Sequence, residues 1–466
     1  MRQLFEAFEK AGKELYLVGG AVRELLMGRP FETLTDLDFA TNATPDETIR
    51  ILKARGFPCY EVGRRFGTIG TILRLDEAEG RVMEVQITTY RTKEVYRKGS
   101  RHPEVEFGTS LAADLARRDF SINAIAMDKE GNVIDPYGGQ ADLKARRLRL
   151  VGRPEEIFSE DPLRLLRAAR FIATLGFIPD KPLKAAATRM AGAILEVSRE
   201  RWFMEMNRLL LGEWVDVALQ YLLETRLLGF ILPEVAATVG FAQTSPYHHK
   251  DVWEHTKLVV KQAVPRPAVR WAALLHDIGK VWTRTTDETG AVHFFRHEEL
   301  GALLFEGIAL RFRFESNLRD RVQFLILHHL RPNLYRPTWT DAAVGRFARE
   351  MGPHLEDLLA LSRADITSGR PERRAQGLAN LDELEKRVAD YLQRVGTAPV
   401  LPKGIGRVIM ERFNLPEGPQ VGALKAKLEQ AIDEGILEPG QPAEYYLEYL
   451  ERQIKEGSLS PTGRDP

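Results

Sequence analysis

The sequence is nearly without cysteine: Cys59 is the only one among 466 residues. That excludes an internal disulfide framework and fits a reducing compartment, with Cys59 expected to pack rather than react. Long apolar runs are missing too. None approaches the roughly 20 residues needed to span a bilayer. Met1 through Tyr16 is charged throughout and lacks the apolar middle of a secretory signal. A cytoplasmic protein with no membrane segment is the expectation. Net charge is also absent, with 66 Lys and Arg against 66 Asp and Glu. Composition therefore gives no argument for nucleic acid, and RNA contact must come from local basic runs. The candidates are Lys144, Arg146, Arg147, Arg149 and Arg153, the stretch Lys93 to Arg101, and Arg370 to Arg374. A solvated charged face is the commoner meaning of any one of them.

What is present is a folded, globular balance, 44% apolar and 28% charged. The length suits three or four domains of roughly 100–150 residues each. Residues 1–150 mix helix and strand signals. Leu15-Tyr16-Leu17-Val18 is a short apolar strand running into Gly19-Gly20, while Thr68 to Leu75 and Arg81 to Thr89 are β-rich. From about 155 onward apolar residues recur at helical spacing, as in Pro162 to Leu175 and Trp202 to Leu211, with little strand signal. Pro and Gly breaks near 176–182, 229–246, 396–406 and 414–422 mark boundaries. Ser458 to Pro466 is polar and is expected to fray. Mixed strand and helix signals up to about 150 and helices beyond give an α+β fold class.

Leu34-Thr35-Asp36-Leu37-Asp38-Phe39 carries the first chemistry. In a strand, Asp36 and Asp38 point one way and Leu37 and Phe39 the other. Two carboxylates on one face repel each other unless a cation lies between them, which suits Mg²⁺ held together with substrate phosphates. An exposed Asp-x-Asp loop is the bland alternative. Val18-Gly19-Gly20-Ala21-Val22-Arg23 reads as strand, glycine turn and helix start, a place where backbone amides can approach phosphates. Glu84, in Met83-Glu84-Val85-Gln86-Ile87, falls on the polar side of a half-buried strand, either as a third carboxylate or as an edge residue.

Gly19-Gly20-Ala21-Val22-Arg23 followed by Asp36-x-Asp38 is similar to the signature of class II tRNA nucleotidyltransferases (CCA-adding enzymes) and bacterial poly(A) polymerases. The likeness continues in order through Arg117-Arg118-Asp119-Phe120-Ser121-Ile122-Asn123-Ala124, Glu160-Asp161-x-x-Arg164, and Ser198-Arg199-Glu200-Arg201 with Glu205. It implies catalysis by Asp36 and Asp38 with Mg²⁺, with Glu84 the candidate third carboxylate from its strand position. It also implies nucleotide binding by Gly19, Gly20, Arg23, Arg118, Asp119, Asn123, Asp161, Arg164, Arg167 and Arg170. Asp119 would meet the ribose. Asp161 and Arg164, sharing a helix face at i, i+3, would read the base in place of a template. ATP, CTP and tRNA are the implied partners. The implied domains are a nucleotidyltransferase head with a small mixed sheet (1–150), a helical neck (151–244), an HD domain (245–370) and a helical tRNA-binding tail (371–466). Thr89-Tyr90-Arg91 through Arg101-His102-Pro103 and Val105-Glu106-Phe107 resembles the flexible loop used to switch from CTP to ATP, which argues against CC-only addition. Gly63-Arg64-Arg65-Phe66 looks more like a poly(A) polymerase, whereas Lys403 to Leu424 and Gly435-Ile436-Leu437 resemble the tail of CCA-adding enzymes. A-only addition and poly(A) synthesis stay open as alternatives.

Ten histidines are present, most of them between 248 and 354. Neutral imidazole is a common metal ligand, and a carboxylate completes such a site. Adjacent His276 and Asp277 lie about 100° apart on a helix, close enough to chelate one ion. The series resembles the HD phosphohydrolase superfamily. By that likeness His255, His276, Asp277 and Asp365 bind a first transition-metal or Mg²⁺ ion. His297 with His328 or His329 would serve a second, for metal-assisted hydrolysis of a phosphate ester. A phosphohydrolase carrying the head as an RNA-binding module is the rival from another class.

Overall fold

The computed structural model describes residues 1–74, 82–96, 103–241, 251–395 and 401–456. Arg101 and His102, the unassigned pair His248 and His249, the breaks at 242–246 and 396–400, and the terminal stretch 458–466 lie outside them.

The head is built on one seven-stranded sheet. Its strands are β1 (Leu15–Val18), β2 (Asp36–Thr41), β3 (Cys59–Gly63), β4 (Thr68–Arg74), β5 (Val82–Thr89), and two short ones after a separate hairpin. That hairpin is β6 (Arg91–Tyr96) with β7 (Pro103–Phe107); β8 (Ala126–Met127) and β9 (Val133–Ile134) then complete the sheet. The order is β3-β4-β5-β2-β1-β8-β9. Only the β2–β5 pair is parallel, so the sheet is mixed as expected. The segment expected to be a flexible loop is thus strand on both flanks.

β2 shows the alternation its sequence demands. Leu37 and Phe39 are buried in a core with Phe5, Phe8, Val22, Leu52, Ile69 and Val85, while Asp36 and Asp38 take the opposite face. Helices α1 (Arg2–Lys10), α2 (Gly20–Leu26) and α3 (Pro45–Ala54) cover the apolar side. Thr44 starts α3 with a capping box to Glu47. Cys59 is partly buried against this core.

Beyond the sheet come α4 (Leu111–Ala116), α5 (Gly139–Lys144), α6 (Pro154–Glu160), α7 (Arg164–Leu175), α8 (Lys181–Met190), α9 (Arg199–Leu210), α10 (Val215–Glu224), α11 (Leu227–Ile231) and α12 (Pro233–Ala236). There follow α13 (Val252–Gln262), α14 (Pro267–Leu275), α15 (Lys280–Thr283), α16 (His297–Phe312), α17 (Ser316–His328), α18 (Asp341–Met351) and α19 (Leu355–Asp365). The tail holds α20 (Pro371–Val395), α21 (Ile405–Phe413), α22 (Pro419–Asp433) and α23 (Ala443–Lys455). Two-residue strands are the only β structure among the described residues after 150. One apolar cluster runs from Phe120 to Leu450 through these helices. The tail is clamped to it by buried Asp433, which accepts from Arg349 at 2.9 Å and from the Tyr391 hydroxyl at 2.9 Å. No helix among the described residues is long and apolar enough to cross a membrane.

Candidate active site and metal centre

The β1–α2 turn and the polar face of β2 open on a cleft of about 530 Å³ between the head and helix α7. Gly19 has φ 70°, and a methyl group there would stand 3.2 Å from Arg118 Nη1 and 3.9 Å from Asp38 Oδ2. The position takes glycine both for its left-handed backbone and because the chain passes so close to a guanidinium and a carboxylate. Asp38 lies on the cleft wall. Burial pushes its pKa up, Arg118 opposes this, and neighbouring Asp36 reinforces it. Such a pair gains from a cation. Glu84 sits beside Asp36 in the parallel β2–β5 register, on the same polar face; both are exposed, and of the three carboxylates only Asp38 lines the cleft. The three carboxylates share a face, but they do not form a closed ligand cluster of the kind found in the HD region.

Arginines dominate the lining of the cleft. Eight of them line the cleft against three aspartates, Asp38, Asp119 and Asp161. The resulting positive field suits a polyphosphate. They are held in a network. Arg23 donates to Asn123 Oδ1 at 2.6 Å, and Asn123 Nδ2 donates to Asp119 Oδ1 at 3.1 Å. Arg167 Nε reaches Asp119 Oδ2 at 2.7 Å, and Arg170 Nε lies 2.9 Å from buried Glu205. Burial alone would raise Asp119, but Arg167, Asn123 and Arg164 outweigh it and hold the carboxyl well below its ordinary range. Burial, helped by the like charge of Arg167, lowers Arg170 to about 10. The Phe171 ring takes Arg170 at 4.3 Å, Arg23 at 5.3 Å and Arg167 at 5.7 Å, a cation–π contact for each.

One expectation is corrected. Asp161 and Arg164 do not share a helix face. Asp161 ends α6 in an extended conformation, φ −146° and ψ 97°, because Pro162 follows it. Its Oδ2 pairs with Arg201 at 2.7 Å. Arg164 is buried and donates to Ile157 O, Glu160 and Arg117 O, each at 3.0 Å. Both still line the cleft. Arg91, Arg117, Arg201 and Phe171 line it as well; the site residues read from sequence omit them, although three fall in segments that resemble family motifs. The basic run after Lys144 is partly structural, since buried Asp142 accepts from Arg147 at 2.6 Å and from Arg149 at 2.9 Å.

The histidine series converges at helix ends. His255 comes from α13, His276 and Asp277 follow α14, His297 opens α16, His329 follows α17, and Asp365 ends α19. Nδ1 of His276, His297 and His329 each donates to a backbone carbonyl, at 2.9, 2.8 and 2.7 Å. The Nε2 lone pairs are therefore free in the neutral rings. These nitrogens face one another: His255 and His276 at 3.2 Å, His297 and His329 at 3.3 Å. Two lone pairs so close require a proton or a cation between them. Asp277 lies between the pairs, Oδ2 3.2 Å from His276 and 3.5 Å from His255, Oδ1 3.4 Å from His297. That Oδ1 is buried without a hydrogen bond. Asp365 stands 3.0 Å from His255. The donor set fits two cations sharing Asp277. Gly279 permits the packing, since a methyl there would lie 2.1 Å from His297 O. Burial lowers His276, but Asp277 and Asp365 outweigh it and push it up to about 10; burial takes His329 down to about 4. His328 is the second correction. It turns away from the cluster and packs at a tilt on Phe324, centroids 4.3 Å apart, so His329 alone of the two faces the cluster.

Residues 15–149 match the "Poly A polymerase head domain" family, 176–238 the "Probable RNA and SrmB- binding site of polymerase A", and 248–370 the HD domain. Head and HD families of this kind are metal-dependent. A CCA-adding enzyme of Geobacillus kaustophilus is 42% identical over 243 residues, which is 52% of this chain and 56% of that protein. The aligned stretch thus spans little more than half of that relative. A CCA-adding enzyme of Geobacillus thermodenitrificans is 37% identical over 62% of this chain and 68% of its own. A multifunctional CCA protein of Pseudomonas aeruginosa is 32% identical over 84% of this chain and 93% of its own. Among solved structures, the Bacillus stearothermophilus CCA-adding enzyme in complex with CTP matches with TM-score 0.67 and 26% identity over 98% of both chains. The cleft, the histidine cluster and these likenesses agree: the chain belongs to the CCA-adding enzyme family of tRNA nucleotidyltransferases.

Proposed function

We propose that this protein adds CCA to the 3′ end of tRNA, taking CTP and ATP and releasing pyrophosphate, with no nucleic-acid template. The observation that supports this most is the single cleft in which the Gly19 turn, Asp38 of β2 and arginines of head and neck surround one volume. Asp36 and Asp38, with Glu84 beside them, would hold Mg²⁺, which when bound neutralises phosphate charge and stabilises the attacking and leaving oxygens. Gly19 and Gly20 let the triphosphate approach the backbone, and Arg23, Arg118, Arg167 and Arg170 balance its charge. Asp119, fixed by Asn123 and Arg167, presents an acceptor to the ribose. Asp161, braced by Arg201, presents acceptors to the base edge, with Arg164 fixing the helix start behind it. The division into head (1–150), neck (151–244), HD domain (245–370) and tail (371–466) follows this reading, with tRNA engaged through its shape and backbone across the helical part. A cytoplasmic site of action accords with the single cysteine and with tRNA as substrate.

A second, accessory activity is favoured by the orphaned Asp277 Oδ1 and the paired Nε2 atoms. His255, His276, Asp277 and Asp365 would hold one ion, and Asp277, His297 and His329 another, for phosphate-ester hydrolysis.

The test of the main reading is the double variant Asp36→Ala with Asp38→Ala. Nucleotide addition should fall by about 10³-fold or more, ~4 kcal/mol of transition-state stabilisation, with the unfolding profile unchanged. Full activity in that variant would sink the assignment.

A further inference from the structure

Behind the arginine wall lies a buried carboxylate that the mechanism above does not use. Asp114, on α4, is 1% exposed. Its two oxygens collect three partners. Oδ1 accepts from the backbone N–H of Arg91 at 3.1 Å and from Arg117 Nη2 at 2.9 Å. Oδ2 accepts from Arg118 Nε at 3.2 Å and Nη2 at 3.0 Å. Arg117 and Arg118 stand three and four positions on, so one helix face brings both back to the same carboxylate. A buried anion is tolerated only when paired, and here its partners are parts of the site. Burial would raise its pKa, yet Arg118 and Arg117 outweigh this and bring it to about 2, so it stays ionised.

Each partner leads to a different feature. Asp114 takes one edge of the Arg118 guanidinium, and the remaining Nη1 faces Gly19 on the cleft wall. Arg91 is the first residue of the β6–β7 hairpin, and its side chain donates to Phe66 O at 2.7 Å and to Thr68 at 3.2 Å. Tyr90 N–H donates to Thr41 O, at the end of the strand that carries Asp36 and Asp38, at 2.8 Å.

We propose that Asp114 is a positioning residue of the cleft, through which nucleotide held at Arg118 and the seating of the β6–β7 hairpin are coupled. This rests on the reading of the cleft as a nucleotide site. A carboxylate can serve Arg118 and the Arg91 amide at once. An asparagine cannot, because one of its two sites becomes an NH₂ turned toward a guanidinium or an amide.

The experiment combines steady-state kinetics on tRNA with peptide-resolved amide exchange, using the full chain with and without CTP. In the wild type, CTP should slow exchange at the start of β6. In Asp114→Asn that response should vanish, and KM for both CTP and ATP should rise about tenfold with a smaller change in kcat. A merely structural role would lower activity without abolishing the CTP-dependent protection. Wild-type exchange indifferent to bound CTP, or Asp114→Asn with wild-type KM, overturns the proposal. If the variant does not fold, the wild-type exchange decides alone. Calorimetric CTP binding by the wild type separates the two readings: binding without tRNA extension would defeat the functional assignment and leave the coupling standing, whereas no binding would defeat both.

Discussion

The two charged centres of this chain are built on opposite plans. In the HD region the ligand atoms already converge: two groups, His255–His276–Asp277 and Asp277–His297–His329, each bring their ligand atoms within 4.8 Å of one another. Backbone carbonyls fix three of the imidazoles, and His276, Asp277, His297 and His329 are buried. In the head, Asp36 and Glu84 are exposed, and the cations of the cleft are guanidinium groups of the protein itself. The first geometry suits a resident ion. On the proposed reading, the second is completed by phosphates that arrive with their own cation, as Mg²⁺ sites commonly are. Pre-organisation would then serve metal in one place and the triphosphate in the other.

The largest effect should come from Asp277, which both ligand groups share. Asp277→Ala should lose both ions, whereas His255→Ala and His329→Ala should each lose one, read as transition-metal content of the purified protein. CCA addition should persist in all three, and His328→Ala should change neither quantity. Loss of addition with the metals would contradict the separation of the two centres.

A tenfold effect follows from charge. In the metal-free cluster His276, raised to about 10 by Asp277 and Asp365 against its burial, carries a proton at neutral pH. An incoming cation must displace it. Metal affinity in the HD region should therefore rise about tenfold per pH unit below that value, with close to one proton released. Calorimetry in buffers of different ionisation heat checks this, and binding that releases no proton would refute it.

The smallest expected effect concerns the head. Asp161→Ala should narrow the preference for CTP and ATP over other nucleotides by roughly tenfold, measured as ratios of kcat/KM. Unchanged selectivity with measurable catalysis would remove Asp161 from base recognition.

Much of this arrangement is encoded in local sequence, and the rest depends on contacts between remote residues. The alternation of Leu37 and Phe39 with Asp36 and Asp38 gave the face of β2, because a period of two needs only local sequence. The parallel pairing that sets Glu84 beside Asp36 comes from a strand more than 40 residues away, and local pattern could not supply it. Asp161 and Arg164 have helical spacing, but Pro162 breaks the helix between them; that signal was present and outweighed by the spacing. His328 ends α17 and His329 follows it in helical backbone, about 100° on, and only the packing of α17 against the cluster chooses between them. Arg91 lies in a segment that reads as a loop, and its place in the cleft depends on Phe66, Thr68 and Asp114, all remote in sequence.

The most direct measurement offers the purified protein three RNAs: tRNA ending at the discriminator base, tRNA ending in CC, and an unrelated oligonucleotide. Each receives CTP, ATP or both with Mg²⁺, and products are resolved at single-nucleotide length. Addition of C, C and A to the first RNA and of a single A to the second, with nothing on the third, is the expected result. Extension confined to one A on the CC-ended tRNA, or long A-tails on the unrelated oligonucleotide, would contradict it.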